Sequence, residues 1–189
     1  MGMQTALALL VLALLGLAAA QIVVSGRFRG RVLRLAAALR QTPLPEARRD
    51  LPDLVYAFAR RAGANPDMPP RTASFHQTAE LRLKPGAAFT PVEAWQTIAL
   101  GKPGFVWDAR AVGAVPRFRV VDAYVEGKGL LEARAYGAVR LAEASGQDMD
   151  LAEGVRYLAE LPWAPDAILG NRYIKWRAIG PASIEAALE

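Results

Sequence analysis

The sequence contains no cysteine and a single histidine, His76, in 189 residues. The first absence excludes disulfide staples, thiolate zinc sites and cysteine nucleophiles, and the second excludes a histidine-rich metal centre. No charged residue precedes Arg27. Aromatic residues make up only 8% of the chain, although hydrophobic residues as a whole reach 53%, so stability rests on burying many small aliphatic side chains. Phosphate-cradling glycine motifs are missing, because the glycines of Glu126-Gly127-Lys128-Gly129 lack the following helix that such a motif needs. No Gly-x-Ser-x-Gly elbow occurs, and Ser74, Ser145 and Ser183 lie in no triad context, which argues against a conventional hydrolase.

What is present begins with an apolar run over residues 5–24, interrupted inside only by Gln21. Twenty helical residues span about 30 Å, the thickness of a bilayer's hydrocarbon core. Three readings are open: an uncleaved transmembrane helix over residues 1–26, a signal peptide cleaved after Ala18-Ala19-Ala20, or a buried helix of a soluble protein. The anchor is favoured because residues 1–4 lack Lys and Arg, the run exceeds an ordinary signal core, and Arg27, Arg29, Arg31 and Arg34 follow at once. The positive-inside rule then places this collar and the rest of the chain in the cytoplasm, with a periplasmic or secreted domain as the alternative. Collar arginines are expected to attract anionic lipid headgroups.

Residues 27–70 read as basic juxtamembrane helices and a linker. Phe28, Val32, Leu35, Ala36 and Leu39 fall at helical spacing, a stripe that suits either the membrane interface or packing on the domain below. Pro43 and Pro45 end that helix. A second is expected with Asp50 as its cap and Leu54, Val55, Phe58 and Ala59 as its apolar stripe, followed by a proline-rich loop over 65–70.

Residues 71–189 read as an α+β domain, a mostly antiparallel, curved β-sheet with a few short helices. Alternation predicts a strand over 75–83. Thr90-Pro91-Val92-Glu93 has the form of a capping box and predicts a helix over 91–100. Strands are expected over 105–112, 118–126 and 130–143, with short connections around Pro116 and 126–129 that imply antiparallel neighbours. A helix over 150–161, a turn at 167–169 and strands over 172–179 and 182–188 complete the domain, the last leaving an open sheet edge.

Asp108, Asp122, Glu126 and Glu132 come from consecutive strands and would serve acid/base or metal chemistry if they gathered on one face. Their interleaving with Arg110, Arg119 and Arg134 gives the plainer expectation of cross-strand ion pairs. His76 has the pKa range of a general base but sits in a strand, where a surface role is commoner. Trp95, Trp107, Tyr124, Tyr157 and Trp163 lie in or beside the sheet, as core or as the lining of an apolar site. The candidate ligand-binding residues are Trp107, Asp108, Arg110, Tyr124, Tyr157 and Trp163. Residues 27–61 hold nine basic and three acidic residues, whereas 62–189 hold fourteen and fifteen, so the domain lacks the basic footprint of nucleic-acid recognition. No cofactor and no metal are expected.

Three stretches, Lys102-Pro103-Gly104-Phe105-Val106-Trp107-Asp108-Ala109-Arg110, Val121-Asp122-Ala123-Tyr124 and Gly154-Val155-Arg156-Tyr157-Leu158-Ala159-Glu160-Leu161-Pro162-Trp163, resemble a family of uncharacterised bacterial proteins with an N-terminal membrane segment, an arginine-rich collar and a domain of unknown function. The likeness runs over about residues 51–179. It implies a β-rich domain with no established activity, no catalytic residues to carry over, and further strands after the segment matching Tyr173 to Ile179, which would make this chain a shortened member. A looser likeness to half-barrel lipid and lipoprotein carriers concerns fold alone. The resulting expectation is a single-pass membrane-anchored, non-enzymatic protein that binds an apolar or lipid-like ligand, or a protein partner, near the bilayer. The alternatives are a membrane-proximal enzyme using Asp108, Arg110 and nearby carboxylates, and a scaffold whose sheet edge recruits a partner strand.

Overall fold

In the computed structural model one helix, α1 (Met3–Leu39), carries the apolar run and the arginine collar without a break. The structure describes residues 2–48, 50–113 and 117–189, so the expected connection around Pro116 lies outside the described residues. The first half of α1 is long and apolar enough to cross a membrane, and none of that stretch is buried against the rest of the protein. Leu7, Leu10, Leu14, Leu17 and Ile22 are all exposed. In water such a surface would be costly, and lipid is the solvent it matches. Beyond it the helix packs on the domain: Phe28, Val32 and Leu39 are buried against Ala99, Val106, Val121 and Ala123. Of the two uses open to this stripe, the structure takes the packed one.

The chain then leads to α2 (Asp53–Arg61). Asp50 does not cap it. Pro52 occupies the N-cap position, and Asp50 instead accepts two hydrogen bonds from the Arg48 guanidinium at 2.9 and 2.7 Å, a bidentate pairing that suits a carboxylate better than a lone amide does.

The centre of the domain is a six-stranded antiparallel sheet in chain order: β1 (Thr72–Leu81), β2 (Thr90–Ala99), β3 (Phe105–Ala111), β4 (Phe118–Val125), β5 (Lys128–Ala135) and β6 (Val139–Ser145). The sheet is open, with β1 and β6 as its edges. Two expectations fail here. Residues 91–100 form no helix: they are most of β2, in which Val92, Ala94, Gln96 and Ile98 are buried and Trp95 is exposed. A capping box is worth about 1 kcal/mol, which hydrogen-bonding to strands on both sides and burying a period-two face readily outweigh. Residues 130–143 are not one strand but β5 and β6, joined by a tight turn in which Tyr136 and Gly137 have φ of 52° and 71°. Two consecutive positive φ values are those of a type I′ hairpin turn, which Gly137 takes without strain.

After the sheet come α3 (Gln147–Ala159), a 3-10 turn (Leu161–Trp163), α4 (Pro165–Gly170) and a separate hairpin, β7 (Ile174–Gly180) with β8 (Ser183–Leu188). These last two strands are as expected, and so is the α+β class. The helices α2, α3 and α4 cover the sheet face opposite α1, enclosing Ile98, Phe105, Tyr157, Leu161, Ile168 and Ile174. At the centre of that layer the Tyr157 hydroxyl donates to the Ala99 carbonyl at 3.1 Å and accepts from the Asn171 amide at 2.9 Å. On the other face Leu39 is seated against Gly104, where a Cβ would lie only 2.8 Å from the Leu39 side chain.

Candidate functional site

Strand alternation places Glu93, Trp95, Asp108, Arg110, Arg119, Glu132 and Arg134 on the face that α1 crosses. Trp95 pairs with Asp108, Arg110 with both Glu93 and Arg119, and Arg119 with Arg134. Three neighbouring arginines repel one another unless carboxylates intervene. Asp108 does so for two of them, accepting from Arg119 at 2.5 and 2.7 Å and from Arg110 at 3.1 Å. Glu132, fully buried, binds Arg134 at 2.6 Å and Arg31 of α1 at 2.9 Å. Phe28 completes the contact, with the guanidiniums of Arg134 and Arg119 over its ring at 4.7 and 5.3 Å. Such cation–π stacking lets a helix side chain pack on a charged sheet surface.

A groove of about 780 Å³ opens between α1 and this face. Arg29, Arg110, Arg117 and Arg119 line it with one carboxylate, Glu93, and Trp95 and Tyr136 supply aromatic surface. Among the described residues neither Arg29 nor Arg117 forms an ion pair, so two of its four guanidiniums have no carboxylate partner. At one end Gln21, within the apolar run, donates its side-chain amide to the Tyr136 carbonyl at 2.7 Å. At the other end a smaller space of about 290 Å³ follows α1 as far as Arg40.

The six residues singled out from the sequence do not share one cleft. Asp108 and Arg110 face the groove side. Trp107 and Tyr124 point to the opposite face, Trp107 donating its indole N–H to Gln77 at 2.8 Å. Tyr157 is buried in the core and Trp163 is exposed in the 3-10 turn. The collar also divides: Arg29 lines the groove, Arg31 is held by Glu132, and Arg27 and Arg34 are exposed on α1. His76 is exposed on β1 and stacks on Trp95 with ring centroids 4.9 Å apart.

The four carboxylates do not gather either, because their places in the alternation differ. Asp108 and Glu132 face α1, Glu126 is exposed in the β4–β5 turn, and Asp122 faces α3. There Asp122 meets Arg156 and the buried Glu153. Arg156 also binds Glu160 at 2.9 Å and lies over the Phe105 ring at 4.6 Å. Burial, and then the charge of Asp122, push the Glu153 pKa up to about 8. Burial also raises Asp122, against the pull of Arg156. Asp122 Oδ1 and Glu153 Oε2 are buried without another hydrogen-bond partner, the arrangement in which one proton serves two carboxylates. Among the described residues no group of three or more histidine, aspartate or glutamate side chains is placed to hold a metal ion.

Sequence reasoning passed over Arg29, Glu93, Arg117 and Tyr136 as groove residues. Reading 91–100 as a helix hid Glu93 and took Trp95 off the strand, yet the alternation of Val92, Ala94, Gln96 and Ile98 carried the signal that places them. It also passed over an apolar cavity of about 380 Å³ between α2, α4 and the β7–β8 hairpin, lined by Leu54, Phe58, Leu161, Ile168, Trp176 and Ile184.

Residues 41–189 match the model of a family of unknown function, DUF6544. The chain belongs to that family. Neither the curated proteins nor the solved structures contain a match. The DUF6544 match starts just beyond α1, so the groove combines a sheet inside the matched residues with a helix that precedes them.

Proposed function

We propose that this DUF6544 protein is a single-pass, membrane-anchored binding module that takes the anionic headgroup of an amphiphile into the groove between α1 and the sheet, and that it works by binding rather than by catalysis. The observation that carries this reading is four arginines against one glutamate at the place where the apolar run meets the sheet. A phosphate or carboxylate there would find guanidinium donors not already committed to a carboxylate, in a concave site where charge-assisted hydrogen bonds are strong. Trp95 and Tyr136 offer surface for the first methylenes of an acyl chain. Asp108 has both oxygens occupied by arginine, which favours a positioning role over acid/base work. The charge asymmetry about the apolar run favours a cytoplasmic domain, with the collar against anionic lipid.

The test is lipid extraction and mass spectrometry of the purified full-length protein. Wild type is expected to retain an anionic amphiphile. A variant carrying Arg29→Ala and Arg117→Ala should lose affinity at least about tenfold, since each charge-assisted contact is worth 1.5–3 kcal/mol before solvent screening. Recovery of lipid-free wild type, or an unchanged lipid complement in the double variant, contradicts the proposal.

A further inference from the structure

We propose that the β1–β2 and β5–β6 turns, with Val112 and Arg117 between them at the same end of the sheet, form a second membrane contact, a platform that rests in the headgroup layer of an anionic bilayer. The inference rests on α1 spanning that bilayer. In the antiparallel order β1 to β6, the β1–β2, β3–β4 and β5–β6 connections share one end of the sheet, and the β2–β3 and β4–β5 connections share the other. Contacts with α1 tell the two ends apart. The Gln21 side chain bonds to Tyr136 and Ser25 packs on Gly137, both in the β5–β6 turn, whereas Leu39 is seated on Gly104 in the β2–β3 connection. The helix therefore climbs the sheet toward the first end, and its free apolar half projects beyond it. Midway the Arg31–Glu132 bridge and the packing of Phe28 add a third fixed level, so the helix cannot swing away without losing buried contacts.

Gln21 belongs to the apolar run itself. Tyr136 consequently lies level with the last turns of the span, the depth at which tyrosine is enriched in membrane proteins. Large apolar side chains are exposed at the same end: Leu83 and Phe89 in the β1–β2 connection, Val112 after β3, and Tyr136 and Val139 around the β5–β6 turn. Exposed apolar residues scattered singly need no explanation, but five on neighbouring turns beside a lipid-matched helix do. The charge fits the same partner. Residues 82–89, 112–113, 117 and 136–139 contain Arg82, Lys84 and Arg117 and no acidic residue, while Glu126 lies at the far end of the sheet. Basic side chains around apolar tips complement an anionic surface. The platform also gives the groove its entrance, since Val112 and Tyr136 line both.

The absence of cysteine makes the test direct. Single cysteines are introduced into the full-length protein at the near end, by Phe89→Cys and Val139→Cys, and at the far end, by Lys128→Cys and Leu151→Cys, all at exposed positions. Each is labelled with an environment-sensitive fluorophore and reconstituted into phosphatidylcholine vesicles with and without phosphatidylglycerol. Near-end labels should show blue-shifted emission and resist aqueous iodide in the anionic vesicles, with a smaller shift in neutral ones, and far-end labels should be quenched freely in both. Near-end labels as open to iodide as far-end labels, in protein that stays with the vesicles through a carbonate wash, would overturn the platform while leaving the span intact. Protein released by that wash overturns the span and the platform together. Lipid retention in the groove is read separately by mass spectrometry.

Discussion

On the α1 side of the sheet Asp108 is held between two arginines and Glu132 among three, whereas on the α3 side Asp122 and Glu153 meet with a single arginine, Arg156, beside them. The difference follows from access to water. Arg31, Arg110 and Arg140 reach solvent from the α1 face, so that face carries an excess of cations at little desolvation cost. The α3 face is closed by a helix, charge there is expensive, and a proton on Glu153 takes the place of a second cation. One sheet thus has a face with cations in excess and a face whose charges are closed within the fold.

If this contrast is right, the heaviest loss should come from Glu132→Ala, which strands the half-buried Arg134 and unfastens Arg31 of α1. Breaking a buried pair costs about 3 kcal/mol, to be read as a lower denaturation midpoint in detergent together with faster proteolysis between α1 and the sheet. A loss below a quarter of that would mean that the apolar stripe alone holds the helix.

The α3 face should reveal itself through pH. With Glu153 near 8 in the folded state and the ordinary glutamate range in the unfolded chain, the native state keeps a proton that the unfolded chain has released. Stability should accordingly be greatest below about pH 5 on this account and decline as pH rises toward 8. Glu153→Gln, which cannot ionise, should flatten that decline and stabilise the protein at pH 8 and above. Urea titrations at a series of pH values check this, and parallel profiles for the two proteins would remove the shared-proton account.

Tyr157→Phe should cost about 1–3 kcal/mol, because it leaves the Asn171 amide and the Ala99 carbonyl short of a partner in the core. The smallest effect is expected for Arg140→Ala: this side chain is more than half exposed and reaches Glu132 only at 3.8 Å, so its removal should cost less than about 1 kcal/mol. A loss comparable to that of Glu132→Ala would show that the α1 face is as closed as the α3 face.

Much of the fold was legible along the chain. The membrane-length run, the helical stripe from Phe28 to Leu39, and the alternation in β1, β3, β4, β7 and β8 are local patterns that report which residues need burial. The two misread elements share one cause. Thr90-Pro91-Val92-Glu93 matches a helix start, and Tyr136-Gly137 lacks the asparagine or aspartate that usually marks a type I′ turn, so local chemistry pointed away from pairings made with distant strands. The site suffered more. Alternation sorts Trp107 from Asp108 onto opposite faces but does not say which face α1 will cover, and the groove depends on that choice.

The amino-acid order settled the place of the apolar run, the partition of charge between collar and domain, and the period of most elements, β2 and the β5–β6 turn excepted, because these depend on neighbours within a few residues. Only the folded chain decided that α1 crosses the face carrying Arg110, Arg119 and Arg134, that Glu153 confronts Asp122 beneath α3, and that the β1–β2 and β5–β6 turns lie at the end of the sheet from which the apolar helix projects. Those facts arise from contacts between residues far apart in sequence, whose free energy exists only once the sheet, the helices and the space between them are assembled together.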